Sequence, residues 1–310
     1  MSHTASLVIE PAVLEARHAV HEIDVPGARV FRHGKVRSVF EAGPEHFVIV
    51  ASDRLSAYDS VLPTPIPGKG VILSRISAFW MRSLADAAPH HLVSDDPADF
   101  PEPFRAHAEM LRGRAQLVRR AERIDIECVV RGYLTGSGWK EYRASGTVCG
   151  LALPSGLRDG SRLDPAIFTP ASKNDHGHDE NLSFEAMAAL VGSPTAAALR
   201  ARSLAIYEAA HAHARARGLV LADTKFEFGR VDGTLTLIDE ALTPDSSRYW
   251  DRAAYEAGRL ESFDKQVVRD WLDAGGWDHE PPAPPLPDDV VARTQERYLE
   301  AIRRLSGAAR

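Results

Sequence analysis

The stretch Leu221–Trp250, LADTKFEFGRVDGTLTLIDEALTPDSSRYW, decides how the rest of the chain is read. Strand side chains alternate between faces, so Asp223, Lys225 and Glu227 share one face, while Ala222, Thr224, Phe226 and Phe228 share the other. One face is charged and the other is core. The VDG at 231–233 is a hairpin turn signal, with TLTLIDE as the returning strand. A two-residue loop sets Glu227 opposite Ile238; a three-residue loop with Gly233 in the left-handed conformation sets it opposite Asp239. We expect the second, which faces the two carboxylates together. Like charges across a sheet repel unless a cation joins them, and magnesium, an oxygen-seeking ion commonly shared with substrate phosphates, suits the position. Taken alone, a charged alternation more often marks a solvated hairpin face.

Upstream, ARVFR, VRSVFE and FVIVASD between Ala28 and Asp53 read as an antiparallel meander. The proline-rich LPTPIPGKG reads as an ordered loop leading into a helix with Ile72, Ile76, Phe79, Trp80 and Leu84 on its apolar positions. The runs AQLV and IDIECVV suggest strands or the crossing into a second lobe. SGWKEYRASG looks like a short helix closed by Gly146. The stretch 193–218 is the clearest helix, with Ser193 as its cap, Pro194 in its first turn and Gly218 at its end; His211 and His213 on it are expected to face solvent. A proline-rich strap precedes a last helix carrying Val291, Tyr298, Ile302 and Leu305.

Basic residues recur at turns. Lys35 and Arg37 follow Gly34 at a hairpin corner where backbone amides and cations can converge on phosphate. PTPIPGKG is not a P-loop: that pattern needs Gly at 63 and Ser or Thr at 70, and the chain has Pro63 and Gly70. Lys69 reads either as a surface turn lysine or as an anion contact. In ECVVRGYLTGSGWKEY a strand runs into Arg131 and a loop of Gly132, Gly136, Ser137 and Gly138, suited equally to an anion site and to a structural loop. TPDSSRYW puts Asp245 and Arg248 in a turn after the hairpin, and SFDKQVVRDWL carries Lys265 and Arg269 four apart on one helix face. KNDHGHDEN, with His176 and His178, lacks the helical spacing of a zinc site and reads as a substrate loop.

Bulk properties bound the class. With 310 residues, 44% hydrophobic and 26% charged, the chain is long enough for two lobes. A net charge of −6 gives no general attraction to nucleic acid. The two cysteines, Cys128 and Cys149, make no C-x-x-C pair and read as buried thiols in a reducing, cytoplasmic protein. Neither a signal peptide nor an apolar run of roughly 18 residues is present, so no membrane role is expected.

Together GKVRSVF, ASDRLSAYDSVLPTPIPGKG, ECVVRGYLTGSGWKEY, FTPASKNDHGHDEN, LADTKFEFG, LIDEALTPDSSRYW and SFDKQVVRDWL resemble the motif series of the SAICAR synthetase family, in family order over roughly residues 30–275. The most specific are E-x-x-x-R-x-x-x-T-G-S at Glu127–Ser137 and LADTKFEFG at Leu221–Gly229. The longer motif forms and the proline-rich extension resemble the larger members. One departure is Asp125, where the family usually has proline, which bears on local strand geometry.

The resemblance implies an α+β, two-lobed fold akin to ATP-grasp enzymes and protein kinases. It implies an antiparallel N-terminal lobe for ATP over 1–120, a larger α+β lobe with substrate and metal sites over 121–260, and a helical C-terminal part over 261–310. It implies ATP-dependent joining of carboxyaminoimidazole ribonucleotide to L-aspartate in purine biosynthesis, through an acyl phosphate, by a monomer or small homo-oligomer. Carried over by motif, Gly34, Lys35 and Arg37 lie over the ATP phosphates, and Glu227 and Asp239 hold Mg2+. Arg131, Ser137 and Arg248 resemble the ribonucleotide phosphate site, and Asp245 its ribose or base contact. Lys225 and Arg269, with Lys265, would face the reacting carboxylate, while Asp59, Lys69 and the HDEN loop line the cleft. A small-molecule kinase, needing the same carboxylates and basic hairpin, and a non-catalytic nucleotide binder are the rival readings.

Overall fold

The computed structural model describes residues 9–173 and 180–307. Residues 174–179, with His176 and His178 of the expected substrate loop, lie outside them. The expected meander is present: β1 (Val30–His33), β2 (Arg37–Glu41) and β3 (His46–Ala51) pair antiparallel in sequence order. A small hairpin of β4 (Ser56–Ala57) and β5 (Ser60–Val61) follows. The proline-rich segment is loop only as far as Gly68, because Lys69 already opens α1 (Lys69–Ser83). The Gly70 amide in that first turn donates to Asp53 Oδ1 at 2.8 Å. A carboxylate of the protein itself therefore sits on this helix start, where a P-loop would place phosphate. After α1 come β6 (Leu92–Ser94), α2 (Ala108–Leu111) and β7 (Ala115–Arg119), completing a sheet of order β1-β2-β3-β7-β6. Val25, Phe40, Val48, Val50, Phe100 and Phe104 form its own core.

The second sheet begins with the long β8 (Glu122–Leu134). Then come α3 (Gly136–Ser145), closed by Gly146 as expected, the short pair β9 (Thr147–Val148) and β10 (Leu151–Ala152), β11 (Ser161–Phe168) and β12 (Ala171–Ser172). α4 (Phe184–Val191) and α5 (Ser193–Ala216) lead into β13 (Leu219–Val231), β14 (Thr234–Ile238) and β15 (Ser247–Asp251). The strand order is β11-β8-β13-β14, with β12 on β8 and β15 on β13. α6 (Arg252–Glu256), α7 (Gln266–Ala274) and α8 (Asp288–Ser306) end the described chain. The main core packs Ile72, Ile76 and Trp80 of α1, Leu199 and Ile206 of α5, and Tyr298 and Ile302 of α8 with Phe226 and Phe228 of β13. The sheets meet where Leu237 N donates to Pro89 O at 2.8 Å and His91 N donates to Leu237 O at 3.0 Å.

The hairpin register is the one we did not expect. Val231 pairs with Thr234 and Glu227 with Ile238, so the loop has two residues. Asp232 at φ 50° and Gly233 at φ 76° both take the left-handed region, the conformation whose twist matches a hairpin. This register sets Leu237 beside Phe228 and Leu235 beside Arg230, so both leucines join the Phe226–Phe228 face. The slipped alternative would have turned them toward the charged face.

Four smaller expectations also change. Gly192, not Ser193, is the cap of α5, and at φ 83° it ends α4 as well, a joint that suits glycine. His211 and His213 are half-buried: the first stacks on Tyr207 with centroids 5.6 Å apart, and the second lies 4.8 Å from Trp80. Arg248 is on β15, paired with Asp223 of β13, rather than in a turn. Asp125 leaves β8 continuous and falls in a bulge, where Glu227 and Gly229, two apart on β13, pair with Glu127 and Arg123, four apart on β8. Bulges and edges are where a strand tolerates proline, so either residue fits there.

Candidate active site

The like-charge pair expected across the hairpin exists on the other side of β13, where Glu227 is opposite Glu127 of β8. Two lysines neutralise it. Lys225 Nζ donates to Glu127 Oε1 at 2.7 Å, and Lys173 Nζ donates to Glu227 Oε1 at 2.6 Å and lies 3.9 Å from Glu127. Burial works to lower the Lys225 ammonium, but Glu127, Glu227 and Glu240 outweigh it, so Lys225 is a fixed cation. Burial likewise opposes Lys173, and Glu227 prevails.

Asp239 follows the end of β14 at φ 60°. Arg37 grips it with both terminal nitrogens at 3.0 Å and reaches Glu240 at 3.3 Å. Against the cost of burial, Asp239, Glu240, Glu227 and Asp245 all hold the Arg37 charge in place. Arg37 and Lys35 therefore part company. Lys35 points outward to pair with Asp59 at 2.7 Å, both half exposed, while Arg37 enters a cleft lined also by Lys69, Gln116, Asp239, Glu240 and Asp245. Among the described residues, no group of three or more His, Cys, Asp or Glu side chains is arranged to hold a metal.

A second basic site lies at the start of α3. Arg131 donates to Asp223 Oδ2 at 3.0 Å, to Ser137 Oγ at 3.0 Å and to Thr169 Oγ1 at 3.1 Å. Arg248 donates to the same Asp223 oxygen. Two guanidinium groups share one carboxylate, which leaves one positive charge beside the Ser137 hydroxyl and the free amides of a helix N-terminus, an anion-binding arrangement. The glycines serve this packing. A Cβ on Gly136 would lie 2.4 Å from Arg248 Nη2, and one on Gly138 would lie 3.1 Å from Arg131. The space at Gly132 is taken by the Tyr207 hydroxyl, so that glycine serves the core.

The third cluster joins the two. Lys69 is buried, not a surface turn lysine, and its Nζ is 2.8 Å from Asp245 Oδ2; Lys265, the residue before α7, is 3.7 Å from the same oxygen. Burial opposes ionisation of Asp245, yet Lys265, Lys69 and Tyr298 hold its carboxyl far below the usual range. Lys265 is pulled down by burial and by Lys69, Arg269 and Lys225, against the attraction of Asp245. Arg269 stands one turn further along α7, half-buried, and its charge is felt by Asp264 and Lys265.

Sequence reasoning missed Asp223, Glu127, Lys173, Glu240 and Tyr298 as parts of these clusters. The period-two face carrying Lys225 and Glu227 also carries Asp223, so that signal was present. Glu127 stands in the quoted E-x-x-x-R motif. Lys173 opens the quoted KNDHGHDEN loop, whereas Tyr298 stood out only as an apolar position of the last helix and arrives from a distant segment.

Two antiparallel sheets around a cleft of carboxylates and lysines, with an arginine pocket alongside, define an enzyme of phosphoryl and acyl transfer to anionic substrates. The SAICAR synthetase family model matches residues 30–284, and the chain belongs to that family. A phosphoribosylaminoimidazole-succinocarboxamide synthase of Syntrophobacter fumaroxidans is 50% identical over 290 residues, covering 93% of this chain and 96% of that protein. One of Saccharopolyspora erythraea is 55% identical over 282 residues, covering 88% and 92%. A solved SAICAR synthase from Saccharomyces cerevisiae, complexed with SAICAR, is 37% identical with a TM-score of 0.84, covering 94% of this chain and 99% of that one. A type-2 SAICAR synthetase in complex with ADP, 22% identical at a TM-score of 0.68, shares the fold. The fold is thus the ATP-grasp-like one of these enzymes. The chain is an ATP-dependent ligase that joins carboxyaminoimidazole ribonucleotide and L-aspartate in purine biosynthesis.

Proposed function

We propose that the ligation proceeds through an acyl phosphate in the cleft between Arg37, Lys69, Lys225 and the carboxylates of β13 and the 239–240 turn. A carboxylate is a poor acyl group at neutral pH until it gains a leaving group. An oxygen of the ribonucleotide carboxylate attacks the γ-phosphorus and ADP departs. The aspartate amine then attacks the acyl carbon, its nitrogen loses a proton, and phosphate leaves. No protein nucleophile is needed; the work of the chain is positioning and charge neutralisation.

Glu227 and Asp239 would hold Mg2+. They are hard oxygen donors of the kind the ion prefers, and it would share them with the cations that now hold them, Lys173 on Glu227 and Arg37 on Asp239. When bound, the ion neutralises charge on the transferring phosphoryl group. Arg37 and Lys35 with Gly34 would face the ATP phosphates, and Asp59 would steady Lys35. Lys225, Lys265 and Arg269 would attend the reacting carboxylate; because Lys225 is held charged, its role is attraction and not proton removal. Arg131, Ser137 and Arg248 would take the ribonucleotide phosphate, with Asp245 on its ribose or base and Lys69 behind it.

The observation that carries this reading is the grip of Arg37 on both Asp239 and Glu240, in the same cleft as Lys69 and Asp245. Residues 1–120, 121–260 and 261–310 would act as ATP lobe, substrate lobe and C-terminal helical part, in a monomer or small homo-oligomer. Cys128 and Cys149 are buried and unpaired, which suits a reducing cytoplasm. The test is phosphate release from ATP with the ribonucleotide, with and without L-aspartate, in the wild type and in Glu227→Gln. We expect release to need both substrates and to fall by about a hundredfold or more in the variant. Release without aspartate and a stable phosphorylated product would replace the ligase by the rival kinase.

A further inference from the structure

Helix α8 lies beyond residues 30–284 matched by the family model, yet one of its side chains reaches the cleft. Tyr298 is fully buried, and its hydroxyl donates to Asp245 Oδ1 at 2.9 Å. The other carboxylate oxygen, Oδ2, belongs to Lys69 at 2.8 Å and Lys265 at 3.7 Å. Three elements, the start of α1, the start of α7 and the middle of α8, therefore fix one carboxylate in one orientation. Gln295, one turn earlier on α8, donates to Pro67 O at 2.8 Å, so the same helix also holds the turn that presents Lys69.

A phenylalanine would fill the Tyr298 space without a polar atom to satisfy, so the hydroxyl is there for the carboxylate. Burial, the Asp245 charge and the hydrogen bond together raise the phenol well above its ordinary range, which keeps it protonated and donating. The carboxylate and its two lysines carry one net positive charge, so this group offers an anionic substrate a directed acceptor inside an attractive field. We propose that Tyr298 is a positioning residue of the ligase, orienting Asp245 toward the ribonucleotide from the C-terminal helix α8. This rests on Asp245 being a ribonucleotide contact.

The test uses the full chain and compares Tyr298→Phe, Asp245→Asn and Arg304→Ala. Arg304 anchors α8 two turns away, through Asp251 at 2.7 Å and the Gly218 carbonyl at 3.3 Å. Removing a hydrogen bond to a charged group should raise the KM for the ribonucleotide about tenfold in Tyr298→Phe. The KM for ATP should stay near wild type, and the melting temperature should fall by a few degrees, because a buried carboxylate oxygen loses its donor. Arg304→Ala should lower the melting temperature and leave the ribonucleotide KM alone. The positioning role is overturned if Asp245→Asn raises that KM while Tyr298→Phe does not, or if Arg304→Ala raises it as much as Tyr298→Phe. If Asp245→Asn leaves the KM unchanged, the ribonucleotide assignment of Asp245 has failed, and the role of Tyr298 falls with it.

Discussion

Arg131 and Arg248 both lean on Asp223, but they are not equivalent. Arg131 is almost fully buried and also holds Thr169 and Ser137, whereas Arg248 keeps about a quarter of its side chain exposed, at 23%. Removing Arg131 would strip Asp223 of its more buried partner, and breaking such a pair typically costs about 3–5 kcal/mol. Arg248 is the better probe, because Asp223 keeps Arg131 when it goes. With Arg248→Met the cluster changes from one positive charge to none, so phosphate binding weakens while the fold survives. We expect the ribonucleotide KM to rise at least about tenfold, with the aspartate and ATP values little changed. Equal changes in all three KM values would remove this pocket from the phosphate assignment. The motif residues of this site were legible because the arginine and the small residues stand together at 131–138. Asp223 was legible only as one charge on a face, since its two partners come from β8 and β15.

The charged hairpin shows how an element can be recognised and still be set wrongly. Both loop lengths preserve the alternation of LADTKFEFG, so the first strand cannot choose between them. The second strand can: in TLTLI the two leucines must join the phenylalanines, and only the two-residue loop puts them there. The carboxylates alone favour the longer loop, but the hydrophobic face is what fixes register. The cross-strand carboxylate pair then forms with Glu127 on β8, a strand nearly a hundred residues earlier that no local pattern connects to Glu227. If the turn geometry sets the register, Gly233 at φ 76° is its most sensitive position. Gly233→Val forces a β-branched side chain into the left-handed region and should cost about 1–3 kcal/mol. Chemical denaturation should show a lower midpoint; an unchanged midpoint would mean that the loop relaxes without cost. The meander, α1 and α8 were readable from period alone. The exposed setting given to His211 and His213 fails because Tyr133 of β8 and Trp80 of α1 cover them from outside α5, and Tyr207 on α5 itself stacks on His211.

At the scale of the molecule, one tie between the two sheets also touches the site. Residues 89–91 run beside β14 through the Leu237 hydrogen bonds, and His91 Nε2 meets the Asp239 carbonyl at 3.2 Å. A neutral imidazole can make that bond only with its proton on Nε2, donating to the oxygen. Burial lowers His91 from 6.5 to about 4; Asp239 works the other way, and His90 and Arg37 add to the lowering. The folded protein therefore keeps His91 neutral where the unfolded chain would already take up a proton. Stability from this group is complete above pH 6.5 and is lost as pH falls through about 4, because protons then favour the unfolded state. The full loss is about 3 kcal/mol. Asp245, whose carboxyl is held low, loses stability in the same direction at more acid pH, and His90, His211 and His213, also lowered by burial, add to it, so a bare acid profile mixes several groups. His91→Gln isolates the share of His91, since glutamine offers the same N–H donor and does not titrate. Melting temperatures measured from pH 7 down to 4.5 should fall more steeply in the wild type than in His91→Gln, with the curves converging toward the acid end. Parallel curves would mean that the junction between the sheets does not sense this proton. A steeper wild-type curve would assign part of the acid sensitivity to the tie between the sheets, beside Asp239 and Arg37.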